Sequence, residues 1–296
     1  MGLIVAGIVV LLLLILLAIC ARLGYNLIRI YDRRRRVRDD DYFFTTYCRT
    51  GIMSKVRWVN RRLPSSPRCK VCLLPFAGLG RVAGFKPSRK NPNYCRACFE
   101  AAPLGGHDME VGVLFADIRG FTSWAENQPP EVVARALNRF YATASAVFTS
   151  GDGLIDKLVG DQVMALFITA FRSLGERTCE VMFDAARELL FRFGQTNPDT
   201  DPLPVGVGLS FGTARVGNVG VGEVKDFTAV GDVVNTAARL QAEASPGEIV
   251  MSASVYERLA ERAPEATHRM LVLKGKAERV SAYSLRVGST AGVAPV

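Results

Sequence analysis

Charged side chains are absent from one end of this sequence and balanced over most of the rest. Residues 1–21 carry none, and residues 69–296 carry 24 basic and 24 acidic side chains. The formal net charge of +9 therefore lies wholly in residues 22–68, with thirteen basic and four acidic side chains. A nucleic-acid-binding protein more often spreads such charge over a folded surface. The pattern argues against nucleic acid as a partner.

The uncharged end is a long hydrophobic run. Residues 3–21 are mostly Leu, Ile and Val, and a helix of that length spans about 28 Å, close to the thickness of a bilayer core. A cleaved signal peptide is the alternative, but it would have a basic start and a shorter apolar core. The arginines after the run, from Arg22 to Arg38, place the following chain in the cytoplasm by the positive-inside rule. We predict a single-pass anchor over residues 1–21 and a basic juxtamembrane segment over residues 22–68.

Cysteine is scarce, but four of the seven cysteines form two CxxC pairs. Cys69 and Cys72 are separated by 22 residues from Cys95 and Cys98. Two such turns can provide a tetrahedral site of four cysteine thiolates for one structural Zn²⁺, and a cytoplasmic location disfavours disulfides. We predict a zinc-ribbon-like module over residues 69–104. An iron–sulfur cluster and a redox-active thiol pair are the alternatives.

From residue 105 onward, strand-like and helical patterns alternate. The order predicts an α+β domain in which a mixed or antiparallel sheet carries flanking helices. Helices are predicted at 131–148, 176–193 and 231–244. Strands are predicted at 111–115, 153–158, 162–167, 205–210, 214–219, 249–251, 270–273 and 280–285. The domain is expected to end near residue 286, and residues 287–296 to form a disordered tail.

Two aspartates follow strand-like runs in this region. Asp117 comes after the apolar run 111–115, and Asp161 lies at a tight turn between two such runs. A carboxylate beside a turn whose N–H groups can face a phosphate could hold a Mg²⁺-triphosphate. A single aspartate there would be read as a turn or cap residue. Further along, Asn235 and Arg239 are four residues apart, so on a helix they share one face and can reach one substrate.

Four stretches resemble the catalytic domain of class III nucleotidyl cyclases, the family of adenylate and guanylate cyclases. They occur in family order over residues 110–286, and they are FADIRGFT (115–122), KLVGDQVM (157–164), GNVG (217–220) and FTAVGDVVNTAARL (227–240). The resemblance implies the ferredoxin-like cyclase fold. It also implies the chemistry, in which the ribose 3′-hydroxyl of a nucleoside triphosphate attacks the α-phosphate and releases pyrophosphate.

The resemblance implies a role for each matching residue. Asp117 and Asp161, with the backbone carbonyl of Ile118, would hold two Mg²⁺ or Mn²⁺ ions. Asn235 would position the ribose, and Arg239 would stabilise the charge on the phosphate in the transition state.

Base selection is implied for Lys157 and Thr228. Adenylate cyclases of this class carry Lys at the first position and, in one subgroup, Thr at the second, whereas guanylate cyclases usually carry Glu and Cys. The pair therefore favours ATP. A Thr hydroxyl can donate or accept a hydrogen bond, so it is expected to discriminate less sharply than Asp.

One position departs from the family. Gly206 stands where many members have an arginine that contacts the triphosphate. We expect Lys274 or Lys276 to supply that charge, with Arg119 and Arg215 as weaker candidates.

In the family the two aspartates come from one subunit and the remaining site residues from the other. This chain contains both sets, so the resemblance implies a homodimer with two equivalent sites. We predict a membrane-anchored adenylate cyclase with a cytoplasmic catalytic domain. A guanylate cyclase and a non-catalytic nucleotide-sensing module of the same fold are the alternatives.

Overall fold

The computed structural model describes residues 51–63, 66–82, 84–96, 105–170, 175–194, 203–221, 224–276 and 278–287. The predicted anchor and tail, most of the basic segment, and Cys98 lie outside these residues. Among the helices described, none is long and apolar enough to cross a membrane. The chain divides into two compact units, one up to residue 107 and one from residue 108.

The first unit is built around turns. Helix α1 covers Gly51–Arg62, and the short helix α2 covers Leu79–Val82. Two isolated bridges join Arg68 to Pro75 and Pro87 to Cys95. Helix α1 is tied to the first CxxC turn, because the Asn60 amide donates a hydrogen bond to the Cys72 carbonyl oxygen at 2.9 Å. The folded part of this unit therefore begins before residue 69.

The second unit is a single eight-stranded sheet with helices. Its elements run in the order β1 (His107–Ile118), α3 (Phe121–Ala125), α4 (Pro130–Ser150), β2 (Leu154–Val159), β3 (Gln162–Ile168), α5 (Thr178–Gly194), β4 (Val205–Val221), β5 (Val224–Val230), α6 (Asp232–Ala242), β6 (Glu248–Ser252), α7 (Ala253–Tyr256), β7 (Thr267–Leu271) and β8 (Val280–Arg286). The strand order is β2-β3-β1-β4-β6-β8-β7, and β5 pairs with β4. The sheet is mixed, since β4 and β6 are parallel whereas β1 and β3 are antiparallel.

The predicted mixed or antiparallel sheet with flanking helices is confirmed as a mixed sheet, but the strand prediction was wrong at β4 and β5. The two strands predicted at 205–210 and 214–219 are one strand, β4. Its first half pairs with β6 and its second half with β5. Because each half has its own partner, the backbone continues through Gly212 without a turn. Strand β5 was not predicted at all.

Helix α6 lies directly on β4. A Cβ atom built at Gly208 would stand 2.3 Å from the Gln241 backbone nitrogen, so only glycine permits this approach. One side of α6, through Leu240, contributes to a buried apolar cluster with Val250 on β6 and Ala282 on β8. This packing fixes the position of the helix that carries Asn235 and Arg239.

Candidate active site and cysteine cluster

The two aspartates lie at neighbouring strand ends. Asp117, near the end of β1, is paired in register with Gln162, which directly follows Asp161. The Ile118 N–H donates a hydrogen bond to the Asp161 carbonyl oxygen at 3.2 Å. The antiparallel pairing of β1 with β3 therefore brings together two carboxylates that are far apart in the sequence.

The electrostatics of Asp117 suit a cation. Burial raises the pKa of Asp117 above its usual value; Arg119 lowers it, and the neighbouring Asp161 carboxylate raises it further. The Arg119 guanidinium forms an ion pair with the Asp117 carboxylate and donates to the Ala242 carbonyl oxygen at 3.3 Å. Two adjacent carboxylates that repel each other, one of which already holds a guanidinium, are a donor set that fits a divalent metal ion.

Tyr141 holds the turn that carries Asp161. Its hydroxyl donates a hydrogen bond to the Gly160 carbonyl oxygen, and Gly160 has a positive φ of 58°, which favours glycine. Burial, and then the Asp161 charge, raise the pKa of Tyr141. Sequence reasoning missed this contact, because an aromatic residue at helical spacing in α4 reads as core.

Asn235 and Arg239 lie one turn apart on α6. Asn235 is exposed and Arg239 is partly buried. Within the described part of the chain, no hydrogen bond or ion pair joins either residue to Asp117 or Asp161. The fold of a single chain therefore brings the two aspartates together and brings Asn235 and Arg239 together, but no hydrogen bond or ion pair among the described residues joins the two pairs.

The loop between β7 and β8 lies against α6. A Cβ atom built at Gly275 would be 3.2 Å from Nη2 of Arg239. Lys276 Nζ is 2.5 Å from an Asp232 carboxylate oxygen, and this hydrogen bond is the main cause that lowers the pKa of Asp232. Lys274 is exposed. The structure thus places both lysines beside the helix that carries Arg239.

Gly206 is closely packed. It is buried in β4, and a Cβ atom there would stand 3.0 Å from the Ala244 carbonyl oxygen. The turn that follows α6 therefore packs directly against Gly206. Of the weaker candidates for the missing charge, Arg119 is paired with Asp117, and Arg215 lies 3.5 Å from Asp108.

The two predicted base-selecting residues meet through a third residue. The Thr228 hydroxyl on β5 donates a hydrogen bond of 2.6 Å to the carboxylate of Asp156 on β2. Asp156 directly precedes Lys157, which is exposed. Strands β2 and β5 are not paired in the sheet. Sequence reasoning missed Asp156, because only the fold brings it to Thr228.

Three cysteines of the first unit form a buried cluster. The sulfur atoms of Cys69, Cys72 and Cys95 all lie within 4.8 Å of one another. The Cys95 backbone N–H donates to the Cys69 sulfur at 3.2 Å. Converging sulfurs with a backbone N–H directed at one of them fit a thiolate metal site. Cys98 lies outside the described residues.

Comparison with known proteins identifies relatives of the second unit. Residues 106–286 match the adenylate and guanylate cyclase catalytic domain. An adenylate cyclase of Anabaena cylindrica is 32% identical over 202 residues, which cover 62% of this chain and 40% of that protein. An uncharacterized protein of Mycobacterium tuberculosis is 34% identical over 164 residues, covering 55% of this chain and 30% of that protein. This chain thus spans less than half the length of either relative.

Two solved structures share the fold. The crystal structure of the guanylyl cyclase Cya2 has a TM-score of 0.57 at 26% identity and covers 64% of this chain and 98% of its own. The guanylate cyclase domain of RhGC from Catenaria anguillulae, in complex with GTP, has a TM-score of 0.53 at 19% identity. It covers 62% of this chain and 100% of its own, and at that identity it supports the fold alone.

Proposed function

This chain belongs to the adenylate and guanylate cyclase family through residues 106–286, and we propose that it is an adenylate cyclase that converts ATP to 3′,5′-cyclic AMP and pyrophosphate. The observation that carries the proposal is the pair of carboxylates brought together at the ends of β1 and the β2–β3 hairpin. In the reaction, the O3′–Pα bond forms, the bond from Pα to the bridging oxygen breaks, and the 3′-hydroxyl loses its proton.

The carboxylate side of the site would hold the metal ions. Asp117, Asp161 and the Ile118 carbonyl are the proposed ligands of two Mg²⁺ or Mn²⁺ ions. Such ions lower the pKa of the attacking hydroxyl and neutralise charge on the phosphates. The Arg119 guanidinium, which forms an ion pair with Asp117, would release that carboxylate to the metal ions. It would then remain beside the triphosphate. Tyr141 keeps the Gly160–Asp161 turn in position.

The α6 side of the site would act on the ribose and the phosphates. Asn235 is proposed to orient the ribose, and Arg239 to stabilise charge on the α-phosphate in the transition state. Lys274, exposed beside α6, is better placed than Lys276 to contact the triphosphate, since Lys276 is paired with Asp232. Lys157 and Thr228 are proposed to contact the base.

We propose that the active form is a homodimer with two sites at its interface. No hydrogen bond or ion pair in the described residues links the aspartates to Asn235 or Arg239, and we propose that a second copy supplies the missing half of each site. Large apolar side chains are also exposed on the β2–β3 and β4–β5 hairpins, which suits a protein interface. They are Leu158, Val159, Val219, Val221 and Val230.

The experiment is a direct assay of the purified full chain. We expect cyclic AMP from Mn²⁺-ATP, at a rate per protomer that rises with protein concentration. ATP and GTP supplied together would decide between adenylate and guanylate cyclase; a dominant cyclic GMP product would replace our proposal with the second. Tight ATP binding with no cyclic product at high protein concentration would favour the non-catalytic sensing module.

We also propose one structural Zn²⁺ per chain, held by Cys69, Cys72, Cys95 and Cys98. Elemental analysis of the purified chain should give one zinc, and the double variant Cys69→Ser/Cys72→Ser should give none. Cys179 is a matched control, because it is a buried cysteine of the other unit; Cys179→Ser should keep the metal. Iron and sulfide in place of zinc would contradict the assignment.

Membrane anchoring through residues 1–21, with a cytoplasmic catalytic domain, stays a proposal from the sequence pattern. Fractionation of cells that express the full chain tests it. Recovery of the chain in the membrane fraction after a salt wash is expected, and recovery in the supernatant would contradict it.

A further inference from the structure

Asp156 occupies an irregular position in its strand. The register of β2 against β3 shifts between Ile155 and Lys157, so that Asp156 is an extra residue in the strand. A bulge of this kind bends the strand and redirects a side chain. Leu154, Ile155 and Asp156 are all buried, and the next three residues of β2 are exposed. The extra residue of the bulge is therefore a carboxylate held in the interior of the protein.

The Asp156 carboxylate accepts the single hydrogen bond that the Thr228 hydroxyl can donate. A hydroxyl has one O–H donor and two acceptor lone pairs, and an ionised carboxylate only accepts. The Thr228 hydroxyl donates to Asp156 at 2.6 Å, and Thr228 is only 6% exposed. Its O–H direction is thus fixed inside the protein, and what the oxygen can offer to a ligand is a lone pair.

We propose that Asp156 is a positioning residue that makes Thr228 an obligate hydrogen-bond acceptor and thereby selects 6-aminopurine nucleotides over 6-oxopurine nucleotides. This inference rests on the proposed function, since it concerns the base pocket of the same site. It replaces the expectation from sequence that a threonine, free to donate or accept, would discriminate less sharply than an aspartate.

The chemistry of the purine base follows from these directions. The 6-amino group of adenine donates hydrogen bonds and suits the Thr228 lone pair. The 6-oxo group of guanine or hypoxanthine accepts, so it would face a second acceptor with no proton between them. Lys157, the residue after Asp156, is exposed, and its ammonium is a donor that suits the unprotonated N1 of adenine and opposes the N1–H of a 6-oxopurine.

The first experiment uses the unaltered full chain and isolates position 6 of the base. ATP and purine riboside triphosphate share an unprotonated N1, but the second lacks the 6-amino group. We expect kcat/KM to fall about tenfold for purine riboside triphosphate, the loss of one hydrogen bond, mainly through KM. Equal or better use of purine riboside triphosphate would overturn the proposal, because it would mean that Thr228 does not accept from the base.

The second experiment changes Asp156. In Asp156→Ala the Thr228 proton is released and can turn toward a 6-oxo group, so the preference for ATP over ITP should fall about tenfold. Asp156→Asn keeps a carbonyl oxygen that can accept from Thr228 and should retain the preference. A merely structural role would lower the rates with ATP and ITP together and leave their ratio unchanged; that result would overturn the proposal.

Two controls sharpen the result. In a Thr228→Val background, Asp156→Ala should no longer change the ATP/ITP ratio, as expected if the two residues act as one unit. Asp152→Asn removes another buried carboxylate, from the turn before the same strand, and should leave the ratio unchanged. An equal shift in Asp152→Asn would overturn the proposal in favour of a general charge effect.

The design separates this inference from the proposed function. If the unaltered chain makes cyclic AMP but the ratios do not respond to Asp156→Ala, the inference fails and the cyclase assignment stands. If the chain makes no cyclic nucleotide, displacement of a fluorescent ATP analogue by ATP and by purine riboside triphosphate still decides the inference. If Asp156→Ala does not fold, the unaltered chain and Asp156→Asn decide it.

Discussion

The two sides of the proposed active site differ in how far one chain completes them. On the carboxylate side, contacts within a single chain hold the functional groups in position. Arg119 forms an ion pair with Asp117, and the Ile118 N–H donates a hydrogen bond to the Asp161 carbonyl oxygen. Tyr141 donates a hydrogen bond to the turn at Gly160. On the α6 side, packing on β4 fixes the helix, but Asn235 and Lys274 project as exposed side chains. The difference teaches that a fold can set the place of a functional residue without supplying its partner.

The largest expected effect comes from inactivating each side of the site with one substitution and then mixing the two inactive variants. Asp117→Asn should remove activity, because the metal site loses a charged ligand. Arg239→Ala should lower kcat about 10²–10³-fold, the usual cost of losing a group that stabilises transition-state charge. If each site draws one side from each protomer, a mixture of the two inactive variants should recover cyclic AMP formation, because one kind of mixed dimer has an intact site.

The control for this mixture is each variant assayed alone under the same conditions. Recovery that depends on total protein concentration would agree with sites shared between protomers. Two variants that each form a stable dimer yet stay inactive when mixed would contradict a shared site.

A smaller effect tests the rigidity of the carboxylate side. Tyr141→Phe removes the hydrogen bond to Gly160 and should weaken Mn²⁺ activation about fivefold, since a single hydrogen bond contributes about 1 kcal/mol. Tyr256→Phe is a matched control, because Tyr256 stacks on Tyr283 with ring centroids 3.7 Å apart. Titration of activity with Mn²⁺ compares the two. Equal Mn²⁺ dependence in both variants would show that the turn does not need Tyr141.

The smallest effect concerns the ion pair that holds Lys276 to α6. The pKa of Asp232 is lowered in the folded chain, first by the hydrogen bond from Lys276. A lowered acid pKa stabilises the fold above the ordinary aspartate pKa, and that stability is lost as the pH falls through the folded value. Asp232→Asn should therefore be slightly less stable than the unaltered chain at neutral pH and equally stable in strong acid. Thermal unfolding at several pH values measures the difference; a constant difference at all pH values would contradict it.

Much of the fold was predictable because it follows from local pattern. Helix α4 was predicted at 131–148 and covers Pro130–Ser150, since its apolar spacing is helical over many turns. The continuous β4 was not predicted, because glycine at 212 reads as a break unless the pairing with both β6 and β5 is known. Strand β5 was missed for the same reason, because its partner in the described sheet is β4.

The candidate site shows the same division. Asp117 and Asp161 could be selected from sequence because each follows a strand-like run, and the family resemblance assigned them one proposed role. Tyr141 and Asp156 could not be selected, since the first looks like a core residue of a helix and the second like one charge in an alternating strand. Their contacts join positions 19 and 72 residues apart in the chain.

The sequence by itself determined the family, most of the helices and strands, and the candidate residues for cyclase chemistry, because these depend on residue type and spacing. Only the tertiary structure decided which groups meet. Strand pairing placed Asp117 beside Asp161, the turn after α6 packed closely against Gly206, and Asp156, the extra residue of the β2 bulge, met Thr228. The physical reason is that hydrogen-bond direction and burial are properties of neighbours in space, which no local stretch of sequence contains.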